Sequence, residues 1–128
     1  MFKENVVTLH IVTPRTMQEL SDIQKAAAVS LLIEMVNADG RVTMEEMCVF
    51  NFISAGMGVS KETFNLGKTL GYEAAVTIVK SLSPEQKMKL AKDLTDIIDA
   101  DNFAANVEIE LLNDICHRTG IDIILNKK

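Results

Sequence analysis

Two stretches decide the fold: residues 35–46, which read MVNADGRVTMEE, and residues 97–108, which read IIDADNFAANVE. Each position of the second stretch lies 62 residues after its equivalent in the first. The acidic positions that recur at this offset are Asp39 with Asp101, and Glu46 with Glu108. Because apolar residues at helical spacing flank both stretches, the sequence predicts two helix–loop–helix halves of one domain, with carboxylates at both helix junctions.

Helix start signals occur in both halves. Thr43 with Glu46, and Ser83 with Gln86, have the spacing of a capping box, in which two side chains satisfy free amides of the first helical turn. Apolar spacings of three and four predict one long helix from about residue 15 to residue 38. The predicted fold class is therefore all-α, a compact bundle of two pseudo-two-fold-related helix–loop–helix repeats. Within a single domain of residues 1–128, we expect repeat one at about 16–60, connecting helices at 61–82 and repeat two at about 84–121.

Glycines predict where several helices end. Gly67 and Gly71 are expected to limit a short helix that opens at Ser60. The last helix is expected to begin near Asn106, to end at Gly120 and to bury an apolar stripe. That predicted stripe comprises Ile109, Leu112, Ile115 and Cys116.

The two ends of the chain have a different pattern. Residues 2–12 and 121–125 are rich in β-branched and apolar residues, which favours extended structure. The sequence therefore predicts short extended tails at both ends. They lie on the helical core, pair with each other, or pair with another chain, which would give a homodimer through the terminal segments.

Composition excludes several classes of protein. The net charge is −5 with a pI near 5.0, so the chain lacks the clustered basic residues that nucleic acids require. No stretch is long and apolar enough for direct membrane insertion, and the N-terminus does not have the pattern of a signal peptide. Cys48 and Cys116 lie far apart in helical patterns, which is typical of buried, reduced thiols in a cytoplasmic protein.

The acidic loops suggest a cation site. With Gly40 at position six of a calcium loop, Glu46 falls at position twelve, but Met35 occupies position one, where an EF-hand needs an acid. A shared site is the other arrangement, because hard carboxylate ligands from two facing loops favour Ca²⁺, Mg²⁺ or Mn²⁺. Helix capping is the alternative role for the glutamates. In the second copy, Ala105 replaces Thr43, so the same capping box is not expected there, yet Glu108 is present.

The chain resembles the TerB-like family, an all-helical domain named for the tellurite-resistance protein and also found in DnaJ-like membrane chaperone proteins. The resemblance covers about residues 16–121. Its motifs are Ala38-Asp39-Gly40, Val42, Glu46 and Gly58-Val59 in the first half, and Ala100-Asp101, Glu108 and Gly120-Ile121 in the second. In that family the acidic residues are thought to form a metal or cation site. The resemblance therefore implies Asp39, Glu46, Asp101 and Glu108 as metal ligands here, and a stress-associated binding module with no enzymatic activity.

These observations predict a non-enzymatic, stress-associated interaction module in the cytoplasm. It would bind a protein partner and a divalent cation at its acidic helix junctions. A metal-dependent hydrolase is one alternative, which requires the four acids to line an open pocket with room for water. A purely structural homodimer is the other, in which the acids serve only as helix caps.

Overall fold

The computed structural model describes residues 17–101 and 104–126, and within these ranges it is all-helical with no strand. The all-α prediction is therefore confirmed. The helices are α1 (Asp22–Asn37), α2 (Met44–Met57), α3 (Lys61–Thr69), α4 (Tyr72–Lys80), α5 (Pro84–Asp99), α6 (Asn106–Thr119) and α7 (Ile121–Asn126).

The repeat seen in the sequence is also a repeat of helix bounds. α5 begins and ends 62 residues after α1, and α6 begins and ends 62 residues after α2. The N-caps of α1 and α5 are equivalent serines, Ser21 and Ser83, and each forms a complete capping box with a glutamine at N3. α2 and α6 both end at a glycine in the left-handed conformation, Gly58 and Gly120. The two halves thus share starts, lengths and stop signals.

The start of α1 and the C-terminal segment differ from the sequence predictions. α1 begins at Asp22 behind its Ser21 cap, and residues 17–20 form a turn and a bend, so the predicted start near residue 15 is wrong. The capping box at Ser21 provides the better start signal. The predicted N-terminal tail, residues 2–12, lies outside the described residues. At the other end, the predicted extended segment 121–125 lies within α7, so that expectation is wrong.

α1 is the central helix of the bundle. Every residue from position 26 to position 32 is buried, so this part of the helix is surrounded rather than covered along one stripe. It packs against α2, α3, α4, α5 and α6. Small residues in α1, among them Ala26, Ala27 and Ala28, allow neighbouring helices to approach it closely.

Gly67 shows how close this approach is. It lies inside α3, which continues to Thr69, so the prediction that Gly67 limits this helix is wrong. A Cβ atom at Gly67 would lie 2.9 Å from the carbonyl oxygen of Ala26 and 2.9 Å from Cγ1 of Val29. The absence of a side chain at Gly67 therefore lets the backbone of α3 rest against α1.

The sequence also predicts a buried stripe of Met47, Phe50, Ile53 and Met57 in α2. The last three are buried and Met47 is half-buried, and in α6 the predicted core residue Ile115 is buried. Ile109 was expected on the same stripe of α6 but is exposed. The expectation of two buried thiols is also wrong, because Cys48 is exposed and Cys116 is only half-buried. Among the described residues, no helix is long and apolar enough to cross a membrane.

Candidate functional site: a buried pair of glutamates

Glu46 occupies the third position of α2 and is 1% exposed. Its Oε1 accepts a hydrogen bond from the amide of Thr43 at 3.1 Å, and its own amide donates to Oγ1 of Thr43 at 3.1 Å. The capping box predicted here is therefore confirmed. Because the box fixes the side chain against the first turn, the second carboxylate oxygen of Glu46 is held toward the protein interior rather than toward solvent.

Glu108 holds the equivalent position in α6 and is also 1% exposed. Its Oε1 accepts from the amide of Ala105 at 3.0 Å, while its amide donates to the carbonyl oxygen of Ala105. Ala105 is the N-cap of α6, and the helix begins at Asn106 as the sequence predicts. One of the two hydrogen bonds of a capping box is therefore present in α6, the bond from the N-cap amide to the glutamate. The other is missing because Ala105 has no hydroxyl group.

The two glutamates meet in the folded chain. The carboxyl group of Glu108 lies within hydrogen-bonding contact of the Glu46 carboxyl, although the residues are far apart in sequence. Oε2 of Glu108 is buried, and no donor within the described residues reaches it. Since two carboxylates have no hydrogen atom between them when both are ionised, a hydrogen bond between these groups requires a proton.

The electrostatics of this pair favour uptake of positive charge. Burial raises the pKa of Glu108, and the neighbouring Glu46 carboxyl and the charge of Asp39 raise it further. The hydrogen bond from the Ala105 amide opposes this change by stabilising the ionised form. These influences favour the neutral form of the Glu108 carboxyl group, or a bound cation beside its ionised form.

The two aspartates predicted as ligands occupy the turns beside the pair. Oδ1 of Asp39 accepts from the amide of Arg41 at 2.9 Å, so this carboxylate stabilises its own turn. Asp39 is nevertheless near enough for its charge to raise the pKa of Glu108. Asp101 is half-buried in the turn that follows α5, and the neighbouring residues 102–103 lie outside the described part of the chain.

The structure therefore brings Glu46 and Glu108 into contact, with Asp39 within electrostatic reach. Within residues 17–101 and 104–126, no three Asp, Glu, His or Cys side chains are grouped in a way that could hold a metal ion. Metal ligation by all four acids stays a prediction. The pair itself offers two carboxylates, one of which has an oxygen without a donor.

A second buried acid was missed from the sequence. The alternating lysines and acids of α5 are the pattern of a solvated helix face, yet Asp93 is 1% exposed. Its Oδ1 accepts from Nζ of Lys89 at 2.5 Å, whereas its Oδ2 is buried and has no hydrogen-bond partner within the described residues. The spacing of four between Lys89 and Asp93 indicated the ion pair, but nothing in the local pattern indicated the burial.

His117 and Cys116 do not form a catalytic couple. His117 is exposed, and its Nδ1 lies 3.2 Å from Oδ2 of Asp122 in α7. Cys116 is half-buried, and burial together with the charge of Asp122 raises the pKa of its thiol. A raised thiol pKa works against the thiolate that nucleophilic catalysis needs.

No protein-family model matches this chain, and no curated protein or solved structure matches it significantly. The resemblance to the TerB-like family therefore remains a prediction that rests on the doubled acidic motif.

Proposed function

We propose that this protein is a non-enzymatic interaction module that binds one divalent cation at the Glu46–Glu108 pair. The observation that carries the proposal is Oε2 of Glu108, a buried carboxylate oxygen without a donor, facing a second carboxyl group. Capping accounts for Oε1 of each glutamate. It does not account for a buried oxygen that faces like charge.

The chemistry of the pair supports a small, hard cation. Mg²⁺ is commonly bound through one or two carboxylates and keeps part of its water shell, whereas Ca²⁺ takes six to eight oxygen ligands. A pair of glutamates with Asp39 nearby suits Mg²⁺ or Mn²⁺ better than Ca²⁺. Uptake of the ion would compete with protonation of the Glu108 carboxyl group, so the affinity should fall as the pH is lowered.

The absence of enzymatic activity is part of the same proposal. A metal-dependent hydrolase needs its ligands in a pocket that admits water and substrate. Glu46 and Glu108 are both buried beneath the first turns of their helices, which supports a structural or regulatory cation over a catalytic one. We also propose a stress-associated role in the cytoplasm, supported by the doubled motif and by the two free thiols.

Calorimetric titration of metal-free protein with Mg²⁺, Mn²⁺, Ca²⁺ and Zn²⁺ tests the proposal. We expect saturable binding of one ion per chain, with Mg²⁺ or Mn²⁺ preferred and with weaker binding at lower pH. Glu108→Gln should abolish binding, because the amide retains the capping acceptor but lacks the charge. Asp96→Asn is the matched control, since Asp96 pairs with Lys92 on α5 and has no part in the glutamate pair.

Two results would contradict the proposal. One is the absence of heat with all four cations, which would leave the pair as a proton-sharing cap. The other is undiminished binding in Glu108→Gln, which would place the ion elsewhere. If Asp39→Asn and Asp101→Asn also weaken binding, the four-acid site predicted from the sequence would gain its first support.

A further inference from the structure

An apolar groove runs between α2 and α5, on a part of the surface that the glutamate pair does not use. Its volume is about 720 Å³, within the range of known ligand sites. The α2 wall comprises Cys48, Val49, Phe52, Ile53 and Met57, and Met17 lies at the same groove. Cys48 and Met57 are nine positions apart, so this wall is roughly 14 Å long at the rise of an α-helix.

Phe52 makes this wall unusual. Its side chain is 81% exposed although it lines the groove, and an aromatic ring left in water forgoes a large part of its burial energy. Met17 and Met57 are buried and form the floor beneath this wall, whereas Val49 and Cys48 lie nearer its surface beside Phe52. A large exposed aromatic side chain at the edge of a concave apolar surface favours a site of interaction.

The α5 wall of the groove is acidic. Asp93, Asp96 and Asp99 line it with Lys89 and Lys92. The lysines are engaged within the helix, Lys89 with Asp93 at 2.5 Å and Lys92 with Asp96 at 3.0 Å. Two acceptor groups on this wall are not used by the lysines. They are Oδ2 of Asp93, which is buried and has no donor in the described residues, and the exposed carboxylate of Asp99. An excess of acceptors on this wall calls for a ligand that brings donors and positive charge.

We propose that this groove binds an amphipathic helix of a partner protein, with large apolar side chains on one face and Lys or Arg beside them. The apolar face would cover Phe52 and Val49, and the basic side chains would donate to Asp93 and Asp99. About three turns of helix would match the length of the wall. The proposal deepens the interaction role proposed above, and it rests on that role but not on the cation.

Charge decides between classes of partner. A nucleic acid or an acidic peptide would bring negative charge toward a wall with three aspartates and two lysines, on a chain of net charge −5. A basic amphipathic helix satisfies both walls together, since the apolar wall alone would not discriminate between partners. The chain's own residues 1–16 and a second copy of the chain are the competing occupants, and the experiment separates them.

The probe is a synthetic peptide of Leu and Lys arranged as an amphipathic helix of about three to four turns. Its binding to the full-length chain is measured by fluorescence anisotropy. We expect saturable binding, which Phe52→Ser weakens by about tenfold or more because the ring is no longer covered. Met44→Ser is the matched control, since Met44 lies on the same helix, is 80% exposed and does not line the groove.

A second pair of variants tests the acidic wall. Asp99→Asn should weaken binding of the Leu–Lys peptide, whereas Glu45→Gln, an exposed acid outside the groove, should not. A peptide in which Glu replaces every Lys should not bind. Equal losses in Phe52→Ser and Met44→Ser, or equal losses in the two acid variants, would overturn the proposal by showing non-specific association.

Cys48 reports on the competing occupants, because its exposed thiol lines the groove. In a Cys116→Ala background, a disulfide reagent should label Cys48 rapidly, and the Leu–Lys peptide should slow the labelling. Slow labelling in the free protein at all concentrations would mean that the chain's own residues 1–16 cover the groove. Labelling that slows as protein concentration rises would indicate a second copy. Either result overturns the partner-helix proposal.

The groove and the cation site can fail independently. Glu108→Gln should lose the cation and still bind the Leu–Lys peptide, because neither glutamate lines the groove. Phe52→Ser should show the reverse. A protein that binds cation and no peptide would refute the groove alone, and a protein that binds peptide and no cation would refute the cation site alone.

Discussion

The pH dependence of stability should change when Glu108 is replaced by glutamine. Glutamine keeps an oxygen that can accept from the Ala105 amide, which the glutamate does now at 3.0 Å. Its amino group can donate to the Glu46 carboxyl, where the native pair needs a proton. The substitution therefore preserves the shape and the cap, and it removes one titrating group from the pair.

The sign follows from the direction of the pKa change. The folded protein raises the pKa of Glu108 above the ordinary value of 4.5, so the folded state holds its proton more tightly than the unfolded state. The stability that this group contributes is fully present below 4.5, and it is lost as the pH rises through the folded-state pKa. Between those two values, each pH unit should lower the stability of the native chain relative to Glu108→Gln by about 1.4 kcal/mol.

Urea unfolding followed by circular dichroism measures this difference, since the chain has no tryptophan and is helical. Both proteins are unfolded with a chelator present, from about pH 4 to about pH 8. Every other titrating group contributes to both proteins, so the difference in unfolding free energy isolates the pair. Two curves that stay parallel over this range would refute the reasoning, because a solvated glutamate would behave in that way.

Two further predictions concern packing and caps, each with a matched variant. Gly67→Ala should destabilise by roughly 1–2 kcal/mol, because overpacking against α1 outweighs the helix propensity of alanine. Gly56→Ala has open space around its Cβ and should instead stabilise by about 0.5–1 kcal/mol, so thermal midpoints that move in the same direction would contradict this account. Thr43→Ala should cost about 1 kcal/mol by removing the hydroxyl of the α2 cap. Ala105→Ser should add roughly 0.5–1 kcal/mol at the equivalent cap of α6, and urea midpoints that leave these two variants unchanged would argue against capping.

Much of the fold could be predicted from the sequence because its signals are local. Thr43 and Ser83 mark helix starts through side-chain hydrogen bonds that span three residues, and both boxes are present. Gly67 was misinterpreted because the contact that requires a glycine there is a tertiary one. The lack of a side chain lets α3 pack closely against α1, and a single sequence does not distinguish such a glycine from one that ends a helix. Residues 121–125 include three β-branched isoleucines, which favour strands, yet they form α7 after Gly120, so tertiary context overrode propensity.

The candidate site was predictable only in part, and for the same reason. The offset of 62 residues identified Glu46 and Glu108 as equivalents, because a repeat is visible without coordinates. Their burial depends on how the halves pack, as does that of Asp93, which has the charged residues Lys89, Lys92 and Asp96 close to it along α5. Periodicity indicates which side of a helix is apolar, but it does not show that a charged side faces another helix.

Capping and cation binding are compatible roles for the same glutamates, because they use different atoms. A capping glutamate needs one oxygen, and Oε1 of each residue provides it. If capping were the whole role, the remaining carboxylate oxygens would have their lowest free energy when hydrated. Both side chains are instead buried and lie next to each other. Burying two like charges costs free energy that only a proton or a cation recovers. Calorimetry with and without the Glu108 carboxylate decides between those two ligands, and therefore whether the junction of the two repeats responds to pH alone or also to a metal ion.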